Sequence, residues 1–372
     1  MKIKTYWPVA LLCIAMLGCE PTATKSGTDS GTETVSGTKE GSSTTSATAK
    51  KSFSLAWSEY PSWSVFGVAD EVGLIDKAEG KMGTVEEKWG VDIVLTQADY
   101  DTCLTLYGGG TTDAVCITNM DVLAPALTRD SVSVLPTSTS DGADATIVVG
   151  IDDIDGLKGK KSYGLEKSVS QYMFERNLEK LGKDPADFPF ANMDPAAAAT
   201  AMQTGQENIE SIVVWNPFVM ETLRKRQGTK RLFDSTTIPE EIIDMVVIGK
   251  EVLAQPDGDK FACAVIDAFY QINQMIADPS KGDDTLVALG AKFSNLGLED
   301  MKEVVKQTKF YKNGDEALGL FGKESFQKET MPAVVEFCVS HEITESKPTV
   351  GFGDASAKLN FDGQYIQKVM AK

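Results

Sequence analysis

Residues 105–119 read TLYGGGTTDAVCITN, and residues 202–216 read MQTGQENIESIVVWN. Gly108, Asp113, Val115 and Asn119 of the first stretch recur 97 residues later as Gly205, Glu210, Ile212 and Asn216. Each stretch predicts a helix end, a glycine stop, an acidic turn, an apolar strand and a polar residue at the strand's carboxyl end. Either the echo is a coincidence between generic αβ units, or the chain carries two lobes of like design. Ligands of α/β sheets bind outside the carboxyl ends of strands. On the second reading Asn119 and Asn216 therefore face one another across a cleft.

The pattern continues on both sides. Strands are predicted at Phe53–Trp57, Val91–Leu95, Ala114–Thr118, Val132–Pro136, Ile147–Ile151, Ser211–Val214 and Met245–Ile248. Helical spacing runs over Val65–Leu74, Asp101–Tyr107, Val169–Leu181, Pro195–Thr204 and Phe261–Ile276. Alternation of this kind argues for α/β lobes with mostly parallel sheets. The restart near Ile147 and the return strand at Met245–Ile248 set the expected division. Residues 51–146 plus 246–372 form lobe one, and residues 147–245 form lobe two.

The first fifty residues are of another kind. Lys2 and Lys4 precede an apolar run from Trp7 to Leu17, which ends in Gly18-Cys19. A basic start, a short apolar core and a small residue before the cut predict a signal peptide over residues 1–18. The run is too short for a permanent bilayer span. Its Cys19 makes it resemble a bacterial lipoprotein signal. That resemblance implies lipidation of Cys19 and an exported chain anchored to the cell membrane, facing the periplasm or the exterior. Residues 20–50 contain nineteen Ser, Thr and Gly and no aromatic residue. Such a stretch cannot bury enough surface to offset its ordering entropy. With Cys19 it is expected to be a tether with a reach of roughly 30 Å.

Composition narrows the function. Loss of Lys2 and Lys4 with the leader takes the net charge from −18 to −20. That balance argues against a nucleic-acid partner. The cysteines of the globular part, Cys103, Cys116, Cys263 and Cys338, match no metal or redox spacing. They are expected to be small buried hydrophobes, with a Cys103–Cys116 bridge as the alternative. His341 is the single histidine and is expected to be structural. No H-E-x-x-H, P-loop or G-x-S-x-G motif occurs. Gly108-Gly109-Gly110 reads as a helix stop rather than a phosphate loop. A binding protein without catalysis, metal or cofactor is therefore expected.

Three segments carry a family resemblance: TLYGGGTTDAVCITN (105–119), GLKGKKSYGLEKSVSQY (156–172) and AAAATAMQTGQENIESIVVWNPF (196–218). They resemble the substrate-binding proteins of ABC importers of the nitrate/sulfonate/taurine class, over nearly all of residues 51–372. Asn216 stands where that class often has an acid. The resemblance implies a two-lobed periplasmic-binding-protein fold (type II), a ligand cleft between lobes, a monomer and a membrane permease as partner. SEYPSW (58–63), ADYDTC (98–103), ITNMD (117–121) and GLEKS (164–168) more closely resemble the branch assigned to urea transport, encoded near urea carboxylase genes. That similarity implies urea or guanidinium as the small-molecule ligand.

The residues can be weighed independently of the resemblance. Binders of sulfonates and carboxylates often use an Arg fork. None of the five arginines, Arg129, Arg176, Arg224, Arg226 and Arg231, falls at a predicted strand end. The strand-end loops carry Glu59, Asp99, Asp101, Asp121 and Glu166, together with Tyr60, Trp63, Tyr100 and Trp215. Guanidinium is all donors with a flat face, and wants carboxylates in plane and rings above and below. In WSEYPSW (57–63), Trp57 is assigned to the core, Tyr60 and Trp63 to either core or ligand, and Glu59 to the ligand's protons. Glu59 and Asp121 could equally cap helices. Urea also presents a carbonyl, for which Asn119, Asn216 and Ser168 are candidate donors. The expected site is thus Glu59, Tyr60, Trp63, Asp101, Asn119, Asp121, Glu166, Ser168, Trp215 and Asn216. Two alternatives stand beside this cargo. One is another solute of the same class or a thiamine-precursor pyrimidine. The other is a sensory or surface lipoprotein without a transporter.

Overall fold

The computed structural model describes residues 52–372. The expected signal peptide, the Cys19 anchor and the Ser/Thr/Gly tether lie outside the described residues. Among those residues the strands are β1 (Ser52–Trp57), β2 (Asp92–Gln97), β3 (Ala114–Thr118), β4 (Ser131–Ser140), β5 (Asp144–Val149), β6 (Ser162–Gly164), β7 (Phe190–Asn192), β8 (Ser211–Trp215), β9 (Thr229–Asp234), β10 (Ile243–Gly249), β11 (Thr308–Phe310), β12 (Val350–Phe352) and β13 (Leu359–Phe361). They form two sheets. The larger has the order β12-β13-β4-β10-β3-β1-β2, with β11 also on β4. The smaller has the order β7-β6-β8-β5-β9.

Both sheets are mixed, where the alternation of helices and strands predicted mostly parallel ones. β1 pairs in parallel with β2 and β3, and β6 with β7 and β8. β10 runs antiparallel to β3 and β4, and β5 antiparallel to β8 and β9. The reason is the double passage between sheets. β4 leaves the larger sheet toward the smaller one, and β10 returns from it at the same end. Neighbours that exit and enter at one end must run in opposite directions. The same holds for β5 and β9.

The two passages are residues 141–143 and 235–242. They are bound to each other: the Ser140 and Ser235 hydroxyls lie 2.7 Å apart, and the Gly142 amide donates to Ser235 Oγ at 2.8 Å. Gly142 has φ +96°, a backbone state that side chains disfavour.

Helices cover the sheets because their apolar stripes must be buried. Gly258–Ala277 lies against the larger sheet, with Phe261 stacked on Phe53 at 4.8 Å and Phe269 tilted against Phe66 at 6.4 Å. Ala198 and Met202 of the helix Pro195–Thr204 pack with Ile212 and Val214 of β8. No helix among the described residues is long and apolar enough to cross a membrane. Cys103, Cys116, Cys263 and Cys338 are buried and free, so the alternative of a Cys103–Cys116 bridge does not hold. Burial pushes the Cys103 and Cys263 thiols up to about 11.

One buried carboxylate organises the β1–β2 edge. Glu86, fully buried in the helix Thr84–Trp89, accepts the amides of Asp76 at 2.7 Å, Gly83 at 2.5 Å and Ile93 at 2.6 Å. Gly83 is required there, since a Cβ would meet the Leu74 carbonyl at 2.4 Å. Glu86→Ala would strand three amides, each at about 1–3 kcal/mol. A loss of roughly 3–5 kcal/mol of stability is expected, read by thermal unfolding.

Candidate ligand site

The handover from β1 to the helix Val65–Glu71 is made by WSEYPSW (57–63). The Tyr60 carbonyl accepts the amides of Trp63 at 3.0 Å and Ser64 at 2.8 Å, closing a turn that feeds the helix. Trp57 points into the core, as expected, and is 3% exposed. Its ring lies against Gly67, where a Cβ would come within 2.8 Å of it. Tyr60 and Trp63 turn the other way and line a cavity, their ring centroids 4.9 Å apart. Tyr100 stacks on Trp63 at 5.4 Å. Its position follows from a helix cap: Asp99 accepts the Thr102 amide at 2.9 Å, which starts the helix Tyr100–Gly108 at the end of β2.

The cavity lies between the two sheets and has a volume of about 80 Å³. A water needs roughly 10–15 Å³ of such space, so the cavity holds on the order of five to eight non-hydrogen atoms. Ser58, Tyr60, Trp63, Tyr100, Thr118 and Asp121 line it beside the larger sheet. Leu165, Ser168, Val169 and Trp215 line it beside the smaller one. Asp144, Ile242 and Asp244 come from the two passages and the strands they lead into, and Glu59 stands exposed at the rim. The lining contains no Lys, Arg or His.

Three aspartates define its electrostatics. Asp121 accepts the Tyr100 hydroxyl and the Thr118 hydroxyl, each at 2.7 Å. Burial raises its carboxyl, and those two bonds oppose the rise. Asp244 accepts Ser138 Oγ at 2.5 Å. Burial pushes its carboxyl well above the usual range, and the charges of Asp144 and Asp121 push the same way. Burial pushes Asp144 up to about 6, against one Ser140 hydroxyl. The Tyr60 and Tyr100 phenols are driven up by burial and by these carboxylates, and stay protonated as donors. The result is a small, ring-walled space of negative potential.

Of the residues expected from sequence, Glu59, Tyr60, Trp63, Asp121, Ser168 and Trp215 line the cavity, and Asp101, Asn119, Glu166 and Asn216 do not. Asp101 sits exposed in the first turn of the helix Tyr100–Gly108. The Glu166 amide donates to Asn192 Oδ1 at 3.1 Å. Asn119 is buried, donating to the Glu241 carbonyl at 3.1 Å and accepting the Ile243 amide at 3.0 Å. It stitches the end of β3 to the start of β10. Asn216 is buried beside its cis bond to Pro217, and donates to Gln307 Oε1 at 2.6 Å. The two asparagines therefore do not face each other across an open cleft: each is committed to a protein partner. Ser168 caps the helix Val169–Lys180, donating to the Leu165 carbonyl at 2.7 Å and accepting the Ser170 amide at 3.1 Å.

Sequence reasoning did not place Ser58, Thr118, Asp144, Leu165, Val169, Ile242 or Asp244 in the site, and took Tyr100 only as a strand-end ring. Asp144 and Asp244 had a signal: each stands first or second in a mainly apolar strand, in DATIVV and IDMVVIG. A carboxylate at the head of a buried strand asks for a partner.

Further contacts tie the helices Val169–Lys180 and Phe218–Lys225 to the C-terminal part of the chain. Arg224 Nη2 meets Asp300 at 2.5 Å, and His341 Nε2 meets Glu175 at 3.0 Å. His341 also stacks on Phe337 at 3.9 Å, in keeping with the structural role expected for it.

The sequence matches no protein-family model and no curated protein. Solved structures do resemble it. The periplasmic aliphatic sulphonate-binding protein SsuA of Escherichia coli aligns at 14% identity with TM-score 0.62, over 80% of this chain and 89% of its own. A putative periplasmic sulfonate-binding protein of Methylobacillus flagellatus aligns at 13% identity with TM-score 0.65, over 87% and 94%. The ligand-binding component of an ABC-type import system from Staphylococcus aureus aligns at 11% identity with TM-score 0.60, over 86% and 99%. The chain has the two-lobed α/β periplasmic-binding-protein fold (type II), with mixed sheets flanked by helices.

Proposed function

We propose that the chain is the substrate-binding component of an ABC importer. In this reading it captures a small planar nitrogen-rich solute, guanidinium or urea, and delivers it to a membrane permease without catalysis. The two lobes, expected from sequence as 51–146 plus 246–372 and 147–245, form a clamp that hinges at the two passages. Cys19 carries the lipid that holds the exported protein at the membrane.

One observation carries the cargo: the lining combines four aromatic rings with Glu59, Asp121, Asp144 and Asp244, and includes no basic side chain. Rings supply faces for a flat cation, and carboxylates supply acceptors for its N–H groups. The volume suits a solute of a few atoms.

A second reading, a sulfonate, nitrate or other anion of the same transport class, draws support from the sulfonate-binding proteins among the structural neighbours. It also draws on the first turn of the helix Val169–Lys180, which borders the cavity through Ser168 and Val169. Helix N-termini favour anions. Against it, an anion would enter beside three aspartates, two of them buried, with no cation in the lining to receive it. Calorimetry against guanidinium, urea, taurine, nitrate and a thiamine-precursor pyrimidine separates the readings. Binding of guanidinium or urea is expected. Tight binding of taurine or nitrate, with neither of those two, would overturn the cargo and leave the importer reading intact.

A further inference from the structure

We propose that the buried pair Asp144 and Asp244 holds a proton while the cavity is empty and surrenders it when a cation enters, so that capturing guanidinium releases one proton and capturing urea releases none. This rests on the function proposed above and adds to it a charge-reading device.

The placement comes first. Asp144 opens β5 just past one passage, and Asp244 is the second residue of β10 just past the other. They are 4% and 2% exposed and line the same cavity. Hydroxyls are their only hydrogen-bond company, Ser140 for Asp144, and Ser138 with Tyr60 for Asp244. Neither forms an ion pair.

The other ionisable groups around them do not supply positive charge. Tyr60 faces both from the turn after β1, Asp121 faces Asp244 from the loop after β3, and Tyr311 approaches Asp244 from beyond β11. Tyr100 is engaged with Asp121, and Glu59 sits at the rim. Arg231, on β9, is occupied by Asp234 at 3.4 Å and Gln307 at 3.2 Å. Two carboxylates this buried, with only neutral or negative neighbours and no free cation beside them, resist being ionised together. Burial pushes Asp144 up to about 6 and Asp244 higher still, in agreement with that geometry.

A guanidinium ion reverses the balance. Its positive charge stabilises the second carboxylate, so the carboxylic acid gives its proton to solvent and becomes a carboxylate paired with the ion. One positive charge enters and one leaves. Urea brings no charge and presents a carbonyl, which needs a donor. The retained carboxylic O–H is such a donor, so urea keeps the proton in place.

Calorimetry of the chain with guanidinium chloride and with urea, each in phosphate and in HEPES at one pH near neutrality, counts the protons. For guanidinium the observed heat is expected to differ between buffers by the amount one proton transferred to buffer would produce. For urea it should not differ. Guanidinium affinity should rise about tenfold for each unit rise in pH over the range where the empty pair holds its proton, with urea affinity flat. Asp244→Asn should abolish the release and weaken guanidinium about 100-fold, with urea changed only a few-fold. Buffer-independent guanidinium binding, or release that persists in Asp244→Asn, would overturn the inference while cation capture stands. Urea binding without guanidinium binding would overturn it and leave the transport reading in place. Failure of both ligands to bind would overturn the two together.

Discussion

Trp63→Ala is expected to weaken guanidinium binding by roughly 30–100-fold and to lower stability by about 3–5 kcal/mol. Trp63 is the middle ring of three, 4.9 Å from Tyr60 and stacked at 5.4 Å on Tyr100. Removing it opens the cavity wall and lets water reach the aspartates, which raises the local dielectric and weakens each charge-assisted bond. It is also 3% exposed, so the same change leaves a void in a packed region. Trp63→Phe separates the two effects. It keeps a π-face, and should retain binding within a few-fold while giving back much of the stability. Calorimetry and thermal unfolding of both variants provide the check. Wild-type affinity in Trp63→Ala would show that the rings serve packing alone.

Asp144→Asn is expected to make the empty protein more stable and a poor captor of cations. The folded state pushes the Asp144 carboxyl up to about 6, by burial. A carboxyl raised on folding is held protonated by the native state while the unfolded chain has already lost the proton. Its contribution to stability is therefore full below about pH 4 and falls away as pH rises to about 6. The shift corresponds to roughly 3 kcal/mol at neutral pH. An asparagine of the same shape carries no charge to desolvate, so a rise of several degrees in Tm at pH 7 is expected, shrinking toward pH 4. Saturating guanidinium should narrow the gap, because it stabilises the wild type alone. A variant less stable than wild type at pH 7 would show that the ionised carboxylate is favourably held in the empty cavity.

How legible the molecule was depended on what each residue answers to. Trp57, Cys116, Ile147 and Phe261 answer to burial, and burial leaves a periodic trace. The helices at Val169 and Pro195 and the strands at Ala114 and Ser211 were accordingly readable. Strand direction was not. The antiparallel entries of β5 and β10 follow from the double passage between sheets, which no local pattern encodes. At the site, Tyr60, Trp63 and Asp121 were readable because aromatic and acidic residues crowd a strand end. Asn119 and Asn216 occupied the same kind of position and are used differently. A polar side chain at a strand end can meet a ligand or a neighbouring backbone, and sequence spacing does not distinguish the two. Asp144 and Asp244 left a weaker trace, one acid near the start of each buried strand, which shows that a partner is needed but not that the two acids share a cavity.

The four sealed thiols have a practical corollary for testing whether the two lobes move. Cys103, Cys116, Cys263 and Cys338 are buried, and burial lifts Cys103 and Cys263 to about 11 and Cys338 to about 12. Alkylating reagents attack thiolates they can reach, and these sites offer them neither anion nor access. Residues 52–372 are thus nearly silent to maleimide dyes as they stand. Two engineered surface cysteines, one beside each sheet, would take up donor and acceptor fluorophores without stripping out the native sulfurs, and a change in transfer on adding guanidinium would test the proposed clamp.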